Sequence, residues 1–457
     1  MKRTVSALFV PVLAWLFVPS AAPCAGDGVP AVLGIRDRVA TVNRIVEARL
    51  DQVLPLAMRE TGFDMWIIVS NEDTYDPVFQ TMIPYNTWAP ITQIVVFYDP
   101  GAGKPIERLN VSRTNLRGLY KDMWDAAAWD TKKTESQWDA LTRVVRERDP
   151  KVIGINEGEV QWAAGALTVP LKKALVNAIG PTYAGRLRSA EPLATRWLET
   201  LLDEELEVYS HVVAVAHALV ADTMSNAVVT PGTTTVDDMI YHYWQRAANL
   251  GLDISFLPSC SIRGRSPAEV QRWGQGDRKV RHGDVIHCDV GIKYMRYNTD
   301  MQELAYVLRL GETDAPEYLK KVLAEANRLQ DVFASQFKAG LTGDQLLANI
   351  LSTARAQGIP GPRVYSHSLG YFLHEPGPLI GLPWEQVSNP GRGDVKLVEN
   401  SCFTVELSAE APIAEWDGKV FRAPLEQDVC FAKGRLHFVD GRQTRFHLIG
   451  KGGDDTR

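Results

Sequence analysis

Cysteine is scarce in this sequence, with five in 457 residues. That is too few for a disulfide scaffold at this length, so the fold has to be held mainly by an apolar core. A basic surplus is also missing. Lys and Arg number 49 against 55 Asp and Glu, a net charge of -6, which argues against nucleic acid as the main partner and leaves no polyacidic tail. Past residue 25 no apolar run approaches the ~20 residues that a membrane-crossing helix requires. The 45% hydrophobic and 23% charged shares are ordinary globular values, which excludes wholesale disorder and collagen-like fibre. At ~100–200 residues per domain, the length corresponds to two or three domains.

What is present begins with an address. Lys2 and Arg3 precede an apolar stretch at 5–18, and small residues follow from Ser20 to Ala25. This is the layout of a secretory signal peptide, removed after residue 25, and it predicts a periplasmic or secreted protein. Export places Cys260, Cys288, Cys402 and Cys430 in an oxidising compartment, where pairing is allowed. Each sits in an apolar, strand-like run, and the expectation is four small buried side chains rather than bridges.

The remaining chain divides at about residue 190. Val39, Val42, Ile45, Val46, Leu50, Val53 and Leu56 recur at helical spacing, which predicts a helix over 36–60 that stops at Gly62. Short buried strands are expected at Met65–Val69, Ile94–Tyr98 and Val152–Ile155, with a helix at Glu135–Glu147. Strands alternating with helices make residues 30–190 an α/β domain without an obvious site. Residues 195–450 contain an echo. Gly232-Thr-Thr-Thr-Val-Asp237 and Gly340-Leu-Thr-Gly-Asp-Gln345 each open a helix, and a longer amphipathic helix precedes each. A Thr two residues after each glycine is expected to cap, with Asp237 or Gln345 reaching back. Two such units predict a duplicated αβ fold around one cleft.

The chemistry lies in the strands that follow each unit. Asp289 ends an apolar strand, and Asp300 follows 11 residues later. An odd separation puts them on opposite faces of one strand, so they converge only if a hairpin intervenes, and 291–298 has room for it. His367 and His374 stand in S-H-S-L-G-Y-F-L-H-E-P, Glu406 in F-T-V-E and Glu426 in L-E-Q-D. Both glutamates read as mid-strand among apolar neighbours, where an ionised carboxylate is costly unless paired, protonated or bound to metal. Taken singly, a strand Asp is usually a turn residue and a lone His a satisfied polar group. Together, four carboxylates and an imidazole suit two divalent cations such as Mn, Co, Zn or Fe.

These motifs resemble the pita-bread metallopeptidases, the group of methionine aminopeptidase, Xaa-Pro aminopeptidase and prolidase, with creatinase as a relative without metal. The Asp289–Asp300 and His367–His374 spacings, F-T-V-E and L-E-Q-D carry the resemblance. It is strong over 195–450 and looser over 30–190, which is similar to the creatinase-like amino-terminal domain. It implies an α/β creatinase-like domain followed by an α+β pita-bread domain of duplicated αβ units. It also implies two metal ions, with Asp289 on one, Asp300 and Glu426 bridging, and His367 with Glu406 completing the second. A bridging hydroxide would then attack a scissile carbonyl, Glu406 would shuttle the proton and His374 would donate to the substrate. The implied substrate is a small peptide or amide, the implied activity that of a Xaa-Pro aminopeptidase or dipeptidase, and homodimers are common in the family.

The surroundings depart from that pattern. Substrate-side histidines of the family are missing from 267–277 and replaced by Arg363, and Pro424 stands where prolidase-like members carry Arg. Arg263, Arg265, Arg272, Arg363 and Arg422 are the candidates to replace them. His287, on the same strand face as Asp289, is either a support for the site or a packed side chain. Two other readings therefore compete with a peptidase: a same-scaffold enzyme acting on a non-peptide C–N bond, and a catalytically weak metal- or solute-binding protein.

Overall fold

The computed structural model describes residues 28–101 and 103–450. The export segment at 1–25, including Cys24, lies outside the described residues.

The first helix runs Ile35–Thr61 and ends where Gly62 takes φ 75°, its N–H bonding to the Met58 carbonyl. Its apolar stripe packs on a six-stranded mixed sheet. From edge to edge the strands are Lys121–Asp122, Glu107–Asn110, Thr92–Tyr98, Met65–Asn71, Ile153–Ile155 and Leu187–Ser189. Side-chain alternation gives this sheet two dry faces. Trp66, Ile68, Val95 and Phe97 meet the first helix, while Met65, Ile67, Ile94 and Val96 meet Leu141, Val144 and Val145 of the helix Gln137–Arg148.

Beyond residue 200 come two helix pairs, Asp203–Thr223 with Val236–Asn249 and Glu317–Gln336 with Gly343–Ala356. In the second pair the expected cap forms, Thr342 accepting from Gln345 N–H and Gln345 reaching back. In the first pair the cap sits one residue later than expected. Thr235 caps with Asp238, while the Thr234 hydroxyl accepts from Thr230 N–H. Asp237 is drawn off by an ion pair with Arg278. Three consecutive threonines offered no means of choosing among them from sequence.

The helix pairs carry four small sheets. Ser259–Gly264, Val285–Val290, Met301–Val307 and His447–Ile449 form one. Arg363–Tyr365, Glu406–Pro412 and Val420–Leu425 form a second; Ser401–Thr404, Asp428–Ala432 and Arg435–Phe438 form a third. Asp253–Ile254, Ile292–Tyr294 and Tyr297–Asn298 make the last. No helix among the described residues is long and apolar enough to cross a membrane.

The apolar core is continuous between the first helix and the helices that follow residue 200. A buried polar cluster pins the same junction. Arg49 is 0% exposed; it pairs with Glu205 at 2.7 Å and donates to the carbonyls of Trp197 and Thr200. The Tyr297 and Tyr371 hydroxyls donate to the other Glu205 oxygen at 2.8 and 2.6 Å. A buried charge pair is tolerable only when its remaining lone pairs are satisfied in this way.

The cysteines correct the expectation of four unpaired thiols. Strand register sets Cys260 opposite Cys288 and Cys402 opposite Cys430, with Cα separations of 4.2 and 4.1 Å, and both pairs are disulfides. Composition shows that a cysteine is in a strand; only register shows what faces it.

Candidate metal centre

Two features of the backbone bring Asp289 and Asp300 together. Met295 and Arg296 both take positive φ, 50° and 75°, as a two-residue hairpin turn requires, and Tyr294 pairs with Tyr297 across it. Gly291 allows the return strand to close in, since a Cβ there would lie 2.1 Å from the Thr299 carbonyl oxygen. Asp300 then falls at the break between Tyr297–Asn298 and Met301–Val307, while Asp289 lies opposite Gln302.

Glu406 and Glu426 are not mid-strand as expected. Glu406 opens Glu406–Pro412 immediately after Ser401–Thr404 ends, and Glu426 falls between Val420–Leu425 and Asp428–Ala432. At both points the chain passes from one small sheet to another, so the apolar run is continuous in sequence but broken in hydrogen bonding. Such breaks aim side chains into the space between sheets. His367 follows Arg363–Tyr365, its backbone held by Thr404 N–H, and its ring lies 4.4 Å from that of His374.

Three of the five residues converge and the other two adjoin them. Asp300, His367 and Glu426 present ligand atoms within 4.8 Å of one another, and His367 Nε2 is 3.6 Å from Asp300 Oδ2. Asp289 and Glu406 adjoin them closely enough for their charges to act on both Asp300 and Glu426. Burial, and then these like charges, raise Asp300 and Glu426 well above the usual carboxylate range. Burial pushes Asp289 up to about 6 and Glu406 up to about 7. Burial, followed by the neighbouring His374, lowers His367 to about 3, which keeps its imidazole neutral. The metal-free cage therefore holds protons.

Two buried atoms in this cage, His367 Nε2 and Glu426 Oε1, lack any hydrogen-bond partner among the described residues. A neutral ring nitrogen and a carboxylate oxygen, orphaned side by side in a dry site, fit a divalent cation. His367 Nδ1 lies 3.1 Å from the Ser368 carbonyl, so it carries the proton and leaves Nε2 as the lone-pair side.

Residues that sequence reading missed complete the surroundings, together with His287, which it left as either a support or a packed side chain. Gln302 exchanges both backbone hydrogen bonds with Glu426, and its side-chain amide donates to Glu426 Oε2 at 2.7 Å. His287 donates to the Gln302 oxygen at 2.8 Å, so this buried histidine supports the cage through Gln302. Asp428, also buried, accepts from Asp300 N–H at 3.2 Å. Gln302 and Asp428 each stand two residues after one of these acids, in the strand that follows it, a spacing that was a readable signal. Arg392 gave none. Its Nε and one terminal nitrogen are buried without partners among the described residues, and its charge reaches Tyr365, His367 and His374.

The arginines named as replacements separate. Arg265 is committed to Asp284 at 2.6 Å, and Arg272 stacks on Trp273. Arg422 pairs with Glu410. Arg263 and Arg363 border a cavity beside Glu406.

Compared with family profiles, residues 207–432 match metallopeptidase family M24. Among solved structures, the X-Pro aminopeptidase of Thermotoga maritima aligns with a TM-score of 0.59 at 18% identity, over 86% of this chain and 99% of that one. The Xaa-Pro dipeptidase of Bacillus anthracis gives 0.58 at 16%, over 88% and 99%. The prolidase of Pyrococcus furiosus gives 0.53 at 14%, over 85% and 99%. At these identities the likeness is one of fold, an amino-terminal α/β domain followed by the pita-bread domain. Compared with curated protein sequences, the chain matches none.

Proposed function

Because this chain belongs to metallopeptidase family M24 and is a metal-dependent peptidase, we propose that it is an exported Xaa-Pro aminopeptidase or dipeptidase with a dinuclear centre. One observation carries the proposal: Asp300, Glu426 and a neutral His367 converge, with His367 Nε2 and Glu426 Oε1 left unpartnered among the described residues and the charges of Asp289 and Glu406 acting on both acids. Asp289 would hold one ion, His367 and Glu406 the other, and Asp300 and Glu426 both. Two divalent ions, of Mn, Co, Zn or Fe, supply the Lewis acidity that makes water a nucleophile near neutral pH.

The chain's own groups do the rest. Glu406, held near neutrality by burial, takes a proton from the attacking water and returns it to the leaving amine. His374, half-buried and kept neutral by burial, donates to the oxygen of the scissile carbonyl. Arg392, with two nitrogens free, receives a substrate carboxylate. Neighbours of the same fold named for Xaa-Pro substrates support that class. The charged, apolar and small-residue segments of 1–25, together with two disulfides, support export to the periplasm or beyond.

The test is to load residues 26–457 with Mn or Co and screen Xaa-Pro dipeptides, longer peptides and amide metabolites by mass spectrometry, with Glu406→Ala as the inert control. Cleavage of the Xaa–Pro bond is expected in Xaa-Pro dipeptides or in longer peptides that begin with Xaa-Pro. Turnover of an amide metabolite alone would favour the non-peptide reading, which Arg363 and Pro424 favour. Absence of any peptide cleavage by metal-loaded protein refutes the peptidase.

A further inference from the structure

Beside the cage, on the Glu406 side, a small cavity of about 170 Å³ is walled by Gln302, Tyr365 and Glu406 and rimmed by Arg263, Arg363 and Arg422. At ~30 Å³ per water this is the space of a handful of waters, or of one short side chain. Three guanidinium groups around so small a space mean mutual repulsion unless something answers them. Arg422 is answered, by Glu410 and by the Ser408 hydroxyl at 3.1 Å. Arg363 spends one nitrogen on the Pro383 carbonyl and has no acidic partner among the described residues. Arg263 has neither a hydrogen bond nor an ion pair among them. Its charge reaches inward, lowering the pKa of Asp289 against the effect of burial and disfavouring protonation of His287. Glu406 and Asp289, the carboxylates it faces, are committed to the cage in the proposed reading.

The rim therefore keeps two exposed positive charges, neither paired with an acid among the described residues, over a space of side-chain size beside Glu406. A cationic or long aromatic side chain is excluded, by charge or by volume. A short carboxylate is accepted, because an arginine fork matches a carboxylate in two hydrogen bonds. Arg392 is not among the residues that line this cavity; its charge acts on His367 and His374, and in the proposed reading it serves the carboxyl end of the substrate. The cavity on the Glu406 side is then left for the residue before the scissile bond.

We infer that this cavity is a specificity pocket for an acidic side chain, and that the enzyme prefers substrates with Glu or Asp on the amino side of the bond it cuts, with Arg263 as the chief determinant. The inference rests on the peptidase reading for its consequence in catalysis, but the pocket itself can be tested without turnover.

The experiment compares kcat/KM of the Mn-loaded protein for Glu-Pro, Gln-Pro, Ala-Pro and Lys-Pro. Glu-Pro should exceed its isostere Gln-Pro by about tenfold or more, mostly in KM, and Lys-Pro should be poorest. Arg263→Ala should bring the Glu-Pro to Gln-Pro ratio close to one, and Arg263→Lys should keep part of it. In parallel, calorimetry measures glutarate binding to the Mn-loaded wild type and Arg263→Ala, with about tenfold tighter binding expected for the wild type. If peptides are cut but Glu-Pro and Gln-Pro equally well, the pocket assignment is overturned and the peptidase stands. If nothing is cut while glutarate still binds in an Arg263-dependent way, the pocket stands and the peptidase falls. Equal glutarate binding by both proteins overturns the pocket whatever the turnover.

Discussion

Replacing Cys402 and Cys430 together by alanine removes the link between the strands Ser401–Thr404 and Asp428–Ala432. These two strands lead directly to Glu406 and Glu426, so the link lies at the root of two cage acids. It closes a loop with a sequence separation of 28 residues. Loop-closure entropy for that length corresponds to about 3–4 kcal/mol lost from the folded state's advantage when the link is absent. In a unit of about 250 residues, at ~2–4 °C per kcal/mol, this lowers Tm by roughly 6–16 °C. The Cys260–Cys288 link has the same separation and the same expected worth. The assay is calorimetric melting of wild type, of each double alanine variant, and of wild type after full reduction. Free thiols are counted in denaturant for every sample, and none is expected in the mature wild type. Metal affinity of the Cys402→Ala/Cys430→Ala variant should fall as well, because the strand ends that aim Glu406 and Glu426 gain freedom. Four titratable thiols in protein recovered from an oxidising compartment would refute the pairing. A Tm within about 1 °C of wild type, once the thiol count proves that the link is absent, would refute the reasoning about its role.

Three other outcomes follow from the same geometry. In metal-free protein, Asp289 and Glu406 are raised to about 6 and about 7, so the folded state keeps protons that the unfolded chain has already released. Metal-free stability should therefore be fullest below about pH 4 with respect to these groups and decline as pH rises toward 7, while added Mn removes the decline. Melting curves over that range check this, and a gap between metal-loaded and metal-free Tm that does not widen with pH contradicts it. Asp300→Ala should lose at least one of two bound ions by elemental analysis, and retention of both counts against the bridging role. Arg49→Met leaves the buried Glu205 carboxylate without its partner and should cost about 3–5 kcal/mol in urea unfolding. A loss below about 1 kcal/mol would mean that the junction does not depend on that pair.

Much of the fold was legible because it rests on local periodicity. The helix Ile35–Thr61, its stop at Gly62 and the strand Met65–Asn71 follow from apolar spacing and one left-handed glycine. The grouping of Asp300, His367 and Glu426 was legible because their motifs are short and contiguous. What the sequence reading placed wrongly was wherever a choice depended on a distant partner. Thr235 caps instead of Thr234 because Arg278 draws Asp237 away. Glu406 and Glu426 sit at strand breaks because two sheets share the same chain, which leaves no trace in an apolar run.

By itself, the sequence determined the chemistry available: which acids and histidines stand in strands, that a hairpin must join Asp289 to Asp300, and that there is no basic surplus or long apolar span past residue 25. Those are properties of spacing and composition, which the chain carries before it folds. Tertiary structure alone decided which cysteines pair, that His367 Nε2 and Glu426 Oε1 are buried without partners among the described residues, and that the charge of Arg392 reaches the two histidines. It also decided which of five arginines remain unspent beside Glu406. Pairing, burial and charge balance are relations between segments far apart in sequence, fixed only when strand register and packing bring those segments into contact.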